Sequence, residues 1–310
     1  MAPINLRTKE HKNMQSSITA MDFSGLPGWR LCFGQAQLDI AQQGGQILSY
    51  FPDINQPPLI WLSACAEYQQ GHSVRGGVPV CWPWFGDIQR NPAAVQKMTT
   101  KDAPFHGLAR TLDWQLTHSS AANNGVQLSL QLVASQDLLG WPHAATVQLQ
   151  IELAERLTIR LHNHNLGSEP LAISQALHSY FAVSDIRQTQ VEGLAGCTYY
   201  DTLEQWQLRE QEGNLKFSGE TDRIYLQVPE HLQIIDLGWQ RRIDLRSQGS
   251  HSAIVWNPWV AKAQTLSGFA SDAWQQMLCI ESANVLDDHL LLAPGEQHCL
   301  QLELSTSAGL

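Results

Sequence analysis

The sequence predicts an all-β protein, built as a large antiparallel β-sandwich with few short helices. Three observations lead to this fold class. Apolar and polar residues alternate with a period of two in several runs of the chain, which is the pattern of half-buried antiparallel strands. Turn-forming residues separate these runs, and helical spacing of apolar residues is scarce. A chain of 310 residues is long enough for such a sandwich to form one domain.

The alternating runs give the predicted strands. They cover residues 126–133, 146–153, 157–163, 224–228, 242–246 and 299–305. Turn residues at 123–125 and 165–167 lie between them, and short helices are predicted over 91–97 and 271–277. Residues 1–24 are polar and irregular, so we predict a flexible N-terminal arm followed by a single domain over 25–310.

Composition limits the classes of function. The formal net charge of −10 argues against a nucleic-acid-binding protein, although single arginines could still bind one small phosphate. The six cysteines have neither CxxC nor zinc-like spacing, which predicts reduced thiols. No apolar run is long enough to cross a membrane, and residues 1–17 lack the apolar segment of a signal peptide. These observations predict a cytoplasmic protein.

Four stretches interrupt the alternation and combine ionisable residues with aromatic residues or glycine. The first, RGGVPVCWPWFG at 75–86, has too many prolines for a buried strand and too many aromatics for a disordered linker. The others are PFHGLAR at 104–110, ALHSYFAV at 176–183, and WNPW at 256–259 with CIESAN at 279–284. No nucleotide-binding, serine-hydrolase or zinc-protease motif is present.

Glu281 and His178 are candidate acid–base residues. Glu281 follows an apolar run that predicts a buried strand, where a carboxylate is costly to desolvate unless something binds it. It could equally be a strand-end carboxylate that faces water. His178 precedes Tyr180 and Phe181, which would suit either a core or a wall that stacks on a sugar. A core histidine is the alternative.

Arg75 and Arg110 are candidate anion-binding residues. Each lies close to a glycine, and two such arginines could hold a phosphate if the fold brought them together. Surface ion pairs are the alternative for both. His162 and His164 would face the same side of a strand, but no third metal ligand is evident, and solvated histidines are the favoured interpretation.

Taken in order, the four stretches resemble the aldose 1-epimerase superfamily, and most closely its hexose-6-phosphate mutarotase branch. The resemblance extends from about Trp29 to Ser305. It implies a galactose mutarotase-like supersandwich that interconverts the α and β anomers of a sugar phosphate without a cofactor or a metal.

The resemblance also implies roles for individual residues. His178 is similar to the family's general acid and Glu281 to its general base. Arg75 and Arg110 resemble residues that hold the phosphate, and His106 resembles the histidine near the sugar ring oxygen. Two further substrate-binding residues are expected: Asp222 at the sugar hydroxyls, and Trp82 as a wall of the sugar site with Trp84 as the alternative. Phe105 and Leu108 depart from the family pattern, where glutamine and an aromatic residue are common, and either could alter sugar preference.

Three alternatives remain at this point. The protein could be a mutarotase for free aldoses, although a neutral sugar needs no anion-binding arginines. It could be a non-catalytic sugar-phosphate-binding protein, although the joint presence of Glu281 and His178 favours an enzyme. A hydrolase or lyase would usually require paired carboxylates or a metal. A monomer is the expected oligomeric state.

Overall fold

The chain folds into four β-sheets, and every pairing between their strands is antiparallel in the residues that the structure describes. This computed structural model describes residues 15–99, 103–134 and 138–309. The predicted fold class, an antiparallel β-sandwich with few short helices, is confirmed.

The first nine strands form the four-stranded sheet that opens the chain, four strands of the nine-stranded sheet and one strand of the eight-stranded sheet. They are β1 (Ser16–Phe23), β2 (Leu26–Phe33), β3 (Ala36–Ala41), β4 (Ile47–Phe51), β5 (Val80–Cys81), β6 (Gln115–Ala122), β7 (Gly125–Ala134), β8 (Ala145–Leu153) and β9 (Leu157–Asn165).

The remaining strands complete both large sheets, except β10 and β22, which pair with each other. They are β10 (Leu171–Ile173), β11 (Gln175–Leu177), β12 (Tyr180–Ala182), β13 (Thr189–Glu192), β14 (Thr198–Asp201), β15 (Gln207–Glu210), β16 (Leu215–Lys216), β17 (Thr221–Leu226), β18 (His231–Asp236), β19 (Arg241–Gln248), β20 (Ser252–Asn257), β21 (Met277–Asn284), β22 (Leu290–Leu292) and β23 (Gln297–Ala308).

Two large sheets dominate the fold. The nine-stranded sheet has the order β16-β13-β18-β19-β23-β9-β8-β7-β6. The eight-stranded sheet has the order β15-β14-β17-β20-β21-β11-β5, with β12 also paired to β21. Strands β1 to β4 form a four-stranded sheet, and β10 pairs with β22.

The alternating runs of the sequence form strands as predicted. β8 alternates buried and half-buried residues without interruption, because its apolar side chains all point to one face. The same pattern locates β7, β9, β17, β19 and β23, each of which covers most or all of its predicted run.

The predicted N-terminal arm is wrong over Ser16–Phe23. These residues form β1, which pairs with β2 along its whole length. Its side chains are half-buried or exposed, because β1 is the outer strand of its sheet. This strand is held by backbone hydrogen bonds rather than by apolar burial. Its amino-acid composition therefore gave little indication of a strand. Residues 1–14 lie outside the described residues, and the boundary of a single domain stays a prediction.

Helices are short and few. The α-helices are α1 (Ala93–Gln96) and α2 (Trp259–Ala263), and the 3-10 helices are Ile88–Arg90, Ala109–Thr111, Ile186–Gln188, Ala273–Gln276 and Leu286–Asp288. The predicted helix over 91–97 is α1, the one over 271–277 is 3-10, and α2 was not predicted. In the described part of the chain, no helix has the length and apolar character needed to span a membrane. All six cysteines are free thiols, as predicted.

The eight-stranded sheet has two faces of different character. Val255 and Ile280 are cross-strand partners in the main apolar core. The next pair along, Ile254 and Glu281, points to the opposite face, because side chains alternate along a strand. This opposite face carries the candidate site.

Candidate active site

A cavity of about 690 Å³ lies against the second face of the eight-stranded sheet. Strands β17, β20 and β21 form its floor, and segments outside the strands supply much of its wall. Six of the seven predicted site residues line it: Arg75, His106, Arg110, His178, Asp222 and Glu281. The seventh, Trp82, does not.

Strand register brings His178 and Glu281 together. On one side of His178, Leu177 is opposite Ser282, and on the other side Tyr180 is opposite Cys279. This register places His178 opposite Glu281, although the two are far apart in sequence. His178 Nε2 and Glu281 Oε1 are 3.4 Å apart, and both residues are buried.

Burial shifts the protonation of both groups towards their neutral forms. It lowers the pKa of His178 to about 3, with the charge of Arg110 as the next cause. It raises the pKa of Glu281 well above 4.5, with Asp222 acting in the same direction. The neutral state of the pair has a protonated Glu281 and a neutral His178. It carries the same total number of protons as the charged state, in which Glu281 is a carboxylate and His178 an imidazolium. The pair therefore has one proton to share, and burial favours Glu281 as the group that holds it.

Two polar atoms of this pair have no protein partner. His178 Nδ1 and Glu281 Oε2 are both buried without a hydrogen bond. Unsatisfied buried polar atoms are rare and costly in native proteins. Both residues line the cavity.

His106 is held as a neutral hydrogen-bond donor beside His178. The backbone N–H of Gly86 donates to His106 Nδ1 at 3.1 Å, so the ring proton lies on Nε2. Burial lowers the pKa of His106 well below 6.5, and the neighbouring His178, Arg110 and Arg75 act in the same direction. The imidazole rings of His106 and His178 have centroids 5.2 Å apart.

Arg75 and Arg110 both reach the cavity without a carboxylate partner. Neither takes part in any of the ion pairs within 4.0 Å that the described residues form. Arg75 Nε donates to the Ser267 carbonyl oxygen at 3.2 Å. Arg110 donates to the Phe105 carbonyl oxygen and, at 3.4 Å, to the Ser73 hydroxyl. Two guanidinium charges held by neutral oxygens are suited to bind an anion.

Asp222 lies on the floor of the same cavity. It is on β17 opposite Trp256 of β20, and both side chains line the cavity. Burial raises the pKa of Asp222, while a hydrogen bond with the Thr202 side chain opposes this shift. A carboxyl group in this place can accept hydrogen bonds from hydroxyl groups.

The prediction that Trp82 walls the site is wrong. Its side chain has no exposed surface, and its indole N–H donates to Asn163 Oδ1 at 2.9 Å. Trp84, the alternative, is also buried, with its indole N–H on the Pro104 carbonyl oxygen. Both tryptophans belong to the core because the segment 75–86 turns these two indole rings inward, whereas its Phe85 lines the cavity.

Other aromatic residues form the cavity wall. Trp206 and Trp256 line it, with Phe85, Phe105 and Tyr180. Trp206 was missed because it lies in the connection between β14 and β15. The sequence feature that could have indicated it is a single tryptophan among the mostly polar residues 201–207. Leu108, in contrast, is buried and does not line the cavity.

The segment 75–86 also holds the backbone at His178, besides supplying Phe85 to the cavity wall. Its strand β5 pairs with β11, and the Pro79 carbonyl oxygen accepts a hydrogen bond from the His178 backbone N–H at 3.0 Å. Gly76 and Gly77 fit against protein backbone: a Cβ on Gly77 would lie 2.1 Å from the Ile47 carbonyl oxygen. Close packing of the chain on itself therefore explains these glycines.

Gly107, next to His106, makes a similarly close fit, which leads to a prediction. Its φ is +77°, and an added Cβ would lie 2.2 Å from the Trp82 carbonyl oxygen. Gly107→Ala is expected to lower the free energy of unfolding by more than about 2 kcal/mol and to displace His106. Gly71→Ala is the matched control, because Gly71 has a similar φ of +82° but no atom within 4 Å of an added Cβ. Urea unfolding of both variants measures the difference, and equal losses would contradict it.

No metal site is evident in this part of the molecule. Within residues 15–99, 103–134 and 138–309, no group of three His, Cys, Asp or Glu side chains could hold a metal ion. His162 and His164 are half-buried on one face of β9, away from the cavity lining.

Comparison with known proteins identifies the family. The family model described as aldose 1-epimerase matches residues 29–305. The chain belongs to the aldose 1-epimerase family. Members of this family are isomerases, and the chain has aldose epimerase (mutarotase) activity.

Several proteins resemble this aldose 1-epimerase family member in sequence, in fold or in both. A Cenchrus ciliaris protein named "Putative glucose-6-phosphate 1-epimerase" is 32% identical over 291 residues, covering 90% of this chain and 83% of that protein. A Salmonella typhimurium structure described as a "putative mutarotase" has a TM-score of 0.84 at 27% identity, covering 94% of each chain. A galactose mutarotase-like structure from Clostridium acetobutylicum shares the fold, with a TM-score of 0.72 at 13% identity, 96% coverage of this chain and 99% of its own.

Proposed function

We propose that this protein interconverts the α and β anomers of a hexose 6-phosphate, with glucose 6-phosphate as the substrate. The observation that carries the proposal is the buried contact between His178 and Glu281 in the same cavity as two arginines without carboxylate partners. The name of the Cenchrus ciliaris relative, which refers to glucose 6-phosphate, also supports it.

Anomer exchange requires one base and one acid. The base removes the proton from the hydroxyl group on C1, while the acid donates a proton to the ring oxygen O5, and the C1–O5 bond breaks. Rotation about C1–C2 followed by ring closure on the other face gives the second anomer. Ring closure returns both protons, so the enzyme is unchanged after each cycle.

In the proposed mechanism, Glu281 is the base and His178 the acid. The proton they share allows this assignment, since its transfer across 3.4 Å from Glu281 to His178 produces a carboxylate and an imidazolium. His106 donates a hydrogen bond from Nε2 to an oxygen of the sugar, and Asp222 accepts hydrogen bonds from sugar hydroxyl groups. Trp256 and Trp206 pack against the apolar face of the ring.

Arg75 and Arg110 bind the phosphate group. Two guanidinium groups can donate several charge-assisted hydrogen bonds to its oxygens. The positive charge of Arg110 lowers the pKa of both His178 and Glu281. A phosphate dianion bound there offsets this charge, and it therefore favours retention of the shared proton on the pair.

Exchange spectroscopy by NMR tests the proposal directly. The rate of exchange between the anomeric protons is measured for glucose 6-phosphate, glucose and galactose, with and without the enzyme. The expected result is exchange that is much faster for glucose 6-phosphate than for glucose or galactose, which lack the phosphate. Exchange only for the free sugars would retain the acid–base pair and discard phosphate binding, and no exchange for any sugar would favour a binding protein.

A further inference from the structure

We propose that Tyr180 is the positioning residue of this site: its ring fixes the orientation of the His178 imidazole, and its hydroxyl connects that imidazole to Arg75. This inference rests on the proposed function for its consequences in catalysis. Neither the family match nor the relatives assign a role to Tyr180.

The first step of the argument is that no hydrogen bond orients the His178 ring from behind. In most acid–base histidines, the nitrogen that does not face the substrate donates to a carboxylate or a backbone carbonyl, and this bond fixes the ring. His178 Nδ1 is buried without a hydrogen-bond partner on another residue, and the backbone hydrogen bond that acts on the ring is with His178 itself. Its Nε2 faces Glu281, which takes part in the reaction itself and cannot serve as a fixed support. Packing must therefore hold the ring.

The second step is that Tyr180 provides the only parallel ring against His178 among the described residues. The two rings are stacked, with centroids 4.9 Å apart and planes 8° apart. His106 and Trp256 approach His178 edge-on, at 5.2 Å and 6.5 Å between centroids. Edge contacts limit how far the imidazole can move, whereas a parallel ring opposes rotation of the imidazole out of its plane.

The third step is that Tyr180 is itself rigidly held. Its backbone N–H donates to the Gly77 carbonyl oxygen at 2.9 Å, and its carbonyl oxygen accepts from the Trp61 N–H at 2.9 Å. The Trp61 ring stacks on its side chain at 5.8 Å between centroids, and Phe269 packs against Trp61. The ring that supports His178 is thus anchored in the core.

The fourth step concerns the hydroxyl group of Tyr180. Tyr180 and Arg75 line the same cavity, and the positive charge of Arg75 acts on this hydroxyl against the larger effect of burial, which raises the pKa of Tyr180. Arg75 is also held by the Ser267 carbonyl oxygen. One side chain is therefore placed to act on both the proposed acid and a proposed phosphate-binding residue.

The two parts of Tyr180 can be separated by substitution. Tyr180→Phe keeps the stacked ring and removes the hydroxyl, so KM for glucose 6-phosphate is expected to rise about tenfold, with little change in KM for glucose. Tyr180→Leu removes the stacked ring, so kcat is expected to fall about 10²-fold with both sugars, because a small displacement of a catalytic group has an effect of this size.

A spectroscopic measurement separates positioning from general stability. The ring ¹⁵N resonances of His178 report its tautomer and orientation in the free protein. One well-defined set is expected in the wild type and in Tyr180→Phe, and a shifted or averaged set in Tyr180→Leu. Tyr180→Met, which fills more of the space with a flexible apolar chain, replaces Tyr180→Leu if the latter does not fold.

Tyr225→Phe is the matched control for loss of a buried hydroxyl. The Tyr225 hydroxyl donates to Gln211 Oε1 at 2.6 Å, and Tyr225 is on the same sheet but does not line the cavity. This variant is expected to lose stability without the change in KM.

Two results would overturn the inference. The first is a native set of His178 ¹⁵N resonances and undiminished kcat in Tyr180→Leu. The second is a fall in kcat for Tyr180→Phe as large as that for Tyr180→Leu. If the wild type exchanged no sugar anomers, the proposed function would be wrong, while the ¹⁵N resonances would still decide whether Tyr180 orients His178.

Discussion

Glu281→Gln is expected to lower the rate of anomer exchange by about 10²–10⁴-fold while the protein still binds glucose 6-phosphate. The amide has nearly the shape of the carboxyl group, but it cannot accept or return the proton that the reaction moves. Exchange spectroscopy gives the rate, and isothermal titration calorimetry gives the affinity. Normal binding with an unchanged rate would show that Glu281 is not the base.

The same variant has a second expected effect, on stability. Burial raises the pKa of Glu281 well above 4.5, so the folded protein binds this proton more tightly than the unfolded chain. Ionisation of Glu281 therefore reduces the free energy of unfolding as the pH rises above 4.5. The amide side chain does not ionise, so Glu281→Gln should be more stable than the wild type at pH 7, with the difference vanishing below pH 4.5.

Glu303→Gln is the matched control for both measurements. Glu303 is on β23 of the other large sheet and pairs with Arg156 at 3.3 Å near the surface. Its replacement removes one carboxylate without touching the cavity. Neither the exchange rate nor the pH dependence of stability should follow that of Glu281→Gln.

Replacing either arginine of the cavity is the second change with a large expected effect. Arg75→Met and Arg110→Met are each expected to raise KM for glucose 6-phosphate about 10- to 150-fold, because hydrogen bonds to charged groups contribute about 1.5–3 kcal/mol. Free glucose has no phosphate to lose, so the ratio of kcat/KM for glucose 6-phosphate to that for glucose should fall by a similar factor.

Arg156→Met controls for the loss of a positive charge, because Arg156 lies on the surface and pairs with Glu303. This variant should leave the ratio between the two sugars unchanged. An equal loss with glucose and glucose 6-phosphate in Arg75→Met and Arg110→Met would mean that the arginines support the fold or the sugar ring, and it would remove phosphate from the proposed substrate.

The parts of the fold that were predictable from sequence are those with a local signal. β8 was evident because alternation of apolar and polar residues is a property of neighbouring residues. β1 was not, because it is held by hydrogen bonds to β2 and buries little apolar surface. Helix α2 was missed for a similar reason: five residues are too few to show a helical period.

The candidate site follows the same division. The motifs indicated His178 and Glu281. That the two side chains face each other depends on the pairing of β11 and β12 with β21, which is distant in sequence. The effect of burial on their pKa values could not be read from the motifs either, because it depends on the whole cavity. Trp82 was assigned wrongly since a run of aromatic residues does not show which of them faces inward. Its partner, Asn163, belongs to a different sheet.

The register that places His178 opposite Glu281 has a consequence for how this enzyme can change. The distance between the proposed acid and base is set by the hydrogen-bonding pattern of β11, β12 and β21, so a shift of one residue would turn one of the two side chains to the other face of the sheet. Arg75 and Arg110, in contrast, lie in segments outside the strands, and their substitution alters no strand pairing. The proposed acid–base pair therefore depends on the strand pairing of the sheet. The proposed phosphate binding depends on two connecting segments, whose residues can be substituted without changing that pairing.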